Sequence, residues 1–139
     1  GFSYLFEDLN GTTLWERKGA FDPNNSTLGK TRGPLRSLNH PFHSGYDGWF
    51  YEGLGGIRPM DNSVGFKEFI LNPVFPSALD KVDVSYTSGY GEIKSRWQRQ
   101  DKSIYWQFEI PNNSSAWVIL PNQKKTLYST GKYNLTINL

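Results

Sequence analysis

From Phe66 to the C-terminus, apolar and polar side chains alternate with a period of two, segment after segment, and only an extended chain turns such a period into one apolar face. Val82, Val84 and Tyr86 alternate with Asp83, Ser85 and Thr87, and Ile93, Ser95 and Trp97 share one face of 92–100. Ile104, Trp106, Phe108 and Ile110 alternate with Tyr105, Gln107 and Glu109, and Tyr133, Leu135, Ile137 and Leu139 close the chain. Turn residues fall between the segments: Asn72-Pro73, Ser88–Gly91 and Pro111–Ser115, the last leading into Ala116–Leu120. Short strands spaced by turn chemistry predict an antiparallel β-sandwich over 66–139. Its inner layer should include Ile93, Trp97, Ile104, Trp106 and Phe108, and Trp97 and Trp106 should therefore be buried.

Upstream the pattern is different. Residues 1–58 hold ten of the glycines and both histidines. Residues 3–9 read as a turn or two of helix stopped by Asn10-Gly11, and 18–38 as a long Gly/Pro/Asn/Ser-rich loop. In 43–57, Tyr46, Trp49, Phe50, Gly53, Leu54 and Ile57 follow the spacing of a buried helix face, although five interior glycines oppose a helix. The expectation is a tightly packed helix in which glycine permits close approach. One or two helices and a loop bury too little to stand alone, so 1–58 should complete a domain whose other elements lie outside this chain.

Composition removes several classes of function. A hydrophobic fraction of 37% and 16% aromatic residues are globular values. The formal net charge of +2 comes with no like-charge run longer than two residues, which gives nucleic acid no basic stripe. Cysteine is absent, so neither a disulfide framework nor thiolate chemistry is available, and cytosol and periplasm fit equally. No apolar run reaches the ~18 residues needed to cross a bilayer, and the first residues lack the basic start and apolar stretch of a signal peptide.

Two residues carry candidate chemistry. Glu16 follows the turn Gly11-Thr-Thr-Leu-Trp15 and sits beside an indole, where a carboxylate can work in a dry pocket. Glu16-Arg17-Lys18 also reads as a solvated charged turn. His40, between Asn39 and Pro41, is biased toward an extended backbone. Its imidazole can bond a sugar hydroxyl, or simply a backbone group. His40-Pro-Phe-His43 lacks the carboxylates or thiolates of a metal site, and no cofactor fingerprint is present.

These segments, with Ser37-Leu-Asn-His40, Gly48-Trp-Phe-Tyr51 and Gly55-Gly-Ile57, resemble the C-terminal part of bacterial α-L-rhamnosidases. Val64-Gly-Phe-Lys67, Tyr86-Thr-Ser-Gly-Tyr-Gly91 and Ile110-Pro-Asn-Asn-Ser-Ser-Ala-Trp-Val118 continue the likeness in order along nearly the whole chain. Lys18 stands where the family usually has an aromatic residue. The resemblance implies a mixed, mainly β chain: 1–58 as the last helices and loops of an (α/α)6 catalytic barrel, and 59–139 as the β-sandwich that follows it. It implies Glu16 as the general base of an inverting glycosidase and His40 as a substrate-binding residue, with the general acid in an Asp-rich motif absent from this chain. No metal or cofactor is implied. The partners would be a rhamnose-containing glycoside or polysaccharide and the remainder of the barrel, and this chain alone should be inactive.

A non-catalytic carbohydrate-binding or purely structural module is the competing reading. A binding module requires two or three coplanar solvent-facing aromatics, whereas core indoles point inward, and among Trp97, Trp106 and Trp117 only Trp117 has the parity to be displayed.

Overall fold

The computed structural model describes Glu7, Thr13, Leu14 and residues 39–121 and 123–138. The chain forms two compact units, 1–47 and 48–139. The expected helix at 3–9 and loop at 18–38 lie outside the described residues, apart from Glu7.

The second unit is built on six strands: β1 (Ile57–Pro59), β2 (Glu68–Leu71), β3 (Lys81–Ser88), β4 (Gly91–Gln100), β5 (Ser103–Val118) and β6 (Thr126–Asn138). Strand β4 lies between β3 and the first half of β5, and β6 flanks β5 along both halves. The second half of β5 pairs on its other side with β2, and β2 with β1. All ladders are antiparallel except β2–β5, which is parallel, a departure from the expected all-antiparallel arrangement.

Pro111–Ser115, expected as a turn, lies inside the 16-residue strand β5. Between Ile110 and Ser115, β5 advances five residues while β6 advances two, from Gly131 to Ser129. The extra residues form an irregularity of the kind that bends a strand and tolerates a proline. Asn113 takes a left-handed conformation there, with φ 58°.

That bend lets one sheet close over its own core. Phe69 and Leu71 of β2 join Ile93 and Trp97 of β4, Ile104, Trp106, Phe108, Ile110, Ala116 and Val118 of β5, and Ile137 of β6 in a single buried cluster. The register sets Val82, Trp97, Trp106 and Leu135 side by side across four strands. Trp97 and Trp106 are 2% and 0% exposed, as their parity required. Each such side chain contributes roughly 1.5–3 kcal/mol on burial. Ser95, on the same face, is fully buried because its Oγ accepts the Trp106 Nε1–H at 3.0 Å.

The opposite face is polar. The row Ser85–Lys94–Glu109–Lys132 crosses β3 to β6. Lys94 Nζ lies 3.0 Å from Glu92 and 3.6 Å from Glu109, whose other oxygen is 3.2 Å from Lys132.

Candidate functional site

The helix expected over 43–57 is shorter and mixed. A 3-10 stretch (Pro41–Tyr46) runs into one α turn (Asp47–Trp49) and a π turn (Phe50–Leu54), and Ile57 already belongs to β1. Pro41 opens the first turn, where its missing N–H goes unused. Gly53 allows the wide π turn to close: a Cβ at this position would overlap the ring of Trp49. Gly56, at φ 70°, ends it against the backbone of Asn72 and Pro73, where no side chain fits. The close approach inferred from the glycines is therefore real, but the apolar face is only partly covered. Gly53 and Leu54 are buried, whereas Trp49 and Phe50 are 53% and 47% exposed.

Two contacts fix the end of this segment to the sheet. The Trp97 Nε1–H donates to the Leu54 carbonyl at 2.9 Å, with Phe75 edge-on to the same indole at 5.4 Å. Tyr51 meets Tyr86 of β3 edge-on at 6.2 Å.

Among the candidate site residues, His40 is described and Glu16 lies outside the described residues. His40 is half-buried and not helical, as the following proline required. Its ring lies 5.4 Å from that of Phe42, tilted by 52°. Its backbone N–H donates to the Leu14 carbonyl at 2.7 Å. Leu14 belongs to the Gly11–Arg17 motif, two residues before Glu16, so one hydrogen bond joins the two segments singled out by the sequence. Nothing in the local pattern announces that bond; it links residues 26 positions apart.

Trp117 keeps the outward parity expected of it but is not a bare platform. Its Nε1–H donates to Glu68 Oε1 at 2.8 Å, and Lys125 Nζ sits 4.8 Å from the ring centroid. With Trp97 and Trp106 in the core, no coplanar pair of displayed indoles exists among the described residues.

Fold and site together define a mainly β domain preceded by a run of helical turns. The sequence profile of the bacterial alpha-L-rhamnosidase C-terminal domain matches residues 56–134, more than half of the chain, and the chain belongs to that family. An alpha-L-rhamnosidase of Formosa agariphila is 43% identical over 88 residues, covering 63% of this chain and 9% of the relative. One from Alteromonas sp. is 29% identical over 135 residues, covering 95% of this chain and 14% of the relative. The crystal structure of the Aspergillus terreus enzyme superposes with a TM-score of 0.77 at 25% identity, over 95% of this chain and 15% of that one. This chain therefore spans about a tenth of the length of the relatives it matches.

Proposed function

We propose that this chain is the C-terminal portion of an enzyme that removes terminal α-L-rhamnose by inverting hydrolysis. In this reading residues 1–58 supply the last part of an (α/α)6 barrel and 59–139 the β-domain that supports it. Glu16, as the ionised general base, takes a proton from water as the oxygen attacks the anomeric carbon. A carboxylic acid elsewhere in the barrel protonates the leaving oxygen, and the product is released with inverted configuration. An inverting pair stands roughly 6.5–9.5 Å apart to admit that water. His40 bonds a hydroxyl of the rhamnose.

The observation that supports this reading is the hydrogen bond from the His40 backbone to Leu14, two residues before Glu16 in the sequence. The half-exposed rings of Trp49 and Phe50 support the second part, since large apolar groups at a surface mark a face that another element covers. The remaining barrel helices are that element.

In the complete enzyme, Glu16→Gln should lower kcat on an aryl α-L-rhamnoside by about 100-fold or more with little change in substrate binding. His40→Ala should mainly raise KM, by about fivefold or more. Near-normal turnover of the Glu16 variant, or a first-formed product of retained anomeric configuration by NMR, rejects the assignment.

A further inference from the structure

One groove of the β-domain is not accounted for by core packing. Its volume is about 760 Å³, and its walls are the 60–68 segment, the β3–β4 hairpin tip and the irregularity in β5. Small-molecule sites occupy roughly 300–1,000 Å³. Asn62, Lys67, Glu68, Tyr90, Asn113 and Ser114 are among the residues that line it.

The walls are held rigidly. Ser115 N–H donates to the Lys67 carbonyl at 3.0 Å, which ties the 60–68 segment to β5. Glu68 N–H donates to Ser63 Oγ at 2.8 Å, and the Glu68 carboxylate is held by the Trp117 indole. Phe66 is wedged against Tyr86 and Phe69, with ring centroids 4.7 and 6.0 Å away.

Two features resist a purely architectural explanation. Phe66 and Asn113 have φ of 68° and 58°, and a bulky ring in the left-handed region is an outlier for any fold. Such strain persists where the surroundings over-determine it, commonly around ligands. Ser114 is 7% exposed, and its hydroxyl has no hydrogen-bond partner among the described residues, an unfavourable state for a buried polar atom.

The lining also selects a class of ligand. Of the residues named, only Lys67 and Glu68 are charged, one of each sign, so neither an anion nor a cation finds a net field. Two amides and a hydroxyl offer both donors and acceptors, and the Tyr90 ring offers an apolar face. A pyranoside presents this same combination, vicinal hydroxyls beside a C–H face. We propose that this groove is a saccharide-binding site of the β-domain, taking a neutral pyranoside. The site stands on residues 60–115 alone and so does not depend on the role of Glu16.

The test is a titration of the ¹⁵N-labelled 139-residue chain with methyl α-L-rhamnopyranoside and, separately, methyl β-D-glucopyranoside. Saturable shifts with either sugar should be confined to amides of 62–68, Tyr90 and 113–115 and to the Trp117 indole. Ser114→Ala removes a hydroxyl that has no hydrogen-bond partner among the described residues, so its melting temperature should stay the same or rise. Its dissociation constant should nevertheless increase about fivefold or more, and Tyr90→Ala should act in the same direction. No saturable shift with either glycoside, shifts only outside the groove, or undiminished binding by the Ser114 variant would overturn the proposal.

Discussion

Ser95 shows how far a single side chain depends on its partner. Its place between Ile93 and Trp97 puts it on the inner face, where a hydroxyl is unfavourable unless bonded. The Trp106 indole, 3.0 Å away on the neighbouring strand, makes it tolerable. Ser95→Ala should therefore destabilise the fold by about 1–3 kcal/mol, because it leaves the buried indole N–H unpaired. Combining it with Trp106→Phe should cost less than the sum of the two single changes in urea unfolding. Strict additivity would mean that the bond contributes nothing. Gly56 is a different case: both its backbone angle and the absence of space for a Cβ explain it, and only the first is a property of the residue type. At the candidate site, Glu16 and His40 were selected by residue type, by spacing and by resemblance, whereas the Leu14–His40 bond between their segments could not be read from the chain.

The elements were legible where alternation was long and uninterrupted. Strands β3 and β4 differ from their readings only at the ends. Strand β5 was divided in two because Pro111-Asn-Asn-Ser-Ser is turn chemistry by composition. Ladder bonds on both sides hold its flanks in one strand, and the Thr130 hydroxyl secures the Pro111 carbonyl at 3.0 Å. The outer row on β4–β6 carries a pH dependence. The Lys132 ammonium, bonded to Glu109, holds that carboxyl below the usual range, and Lys94, bonded first to Glu92 and then near Glu109, is held above its usual value. A lowered carboxylate stabilises the fold above its unfolded pKa and loses that contribution as pH falls through the folded value. A raised lysine stabilises below its unfolded pKa and loses the contribution as pH rises through the folded one. Glu109→Gln should thus lower the melting temperature slightly at neutral pH, with the difference fading as pH falls through the depressed folded value of Glu109 and shrinking in high salt. A difference that persists unchanged in acid would exclude the ion pairs as its cause.

Among the described residues, the buried core runs from Leu54 to Ile137, inside the 48–139 unit. A fragment of residues 48–139 should therefore unfold cooperatively, with a urea m-value in keeping with its own length. A 1–58 peptide should show no cooperative transition and little amide protection. A 48–139 fragment that fails to fold would show that the core needs cover from elsewhere.

The alternation of residue types is enough to tell which side chains face inward along β3, β4 and the first half of β5. In an extended chain the period of two is a local property of the backbone, independent of its neighbours. Turn chemistry also locates the tight turn between β3 and β4, where Gly91 takes φ 127°, but at Pro111–Ser115 the same chemistry is absorbed within β5. Tertiary structure alone decided that β2 pairs in parallel with β5, that the sheet closes over itself at Pro111–Ser115, and that the expected helix stops at Leu54. Each of those outcomes is settled by a partner distant in the chain: Lys67 for Ser115, Leu71 for Ile119, and Trp97 for Leu54. A hydrogen bond across 40 or more residues leaves no periodic trace in either segment, and its formation is decided only when both share one core.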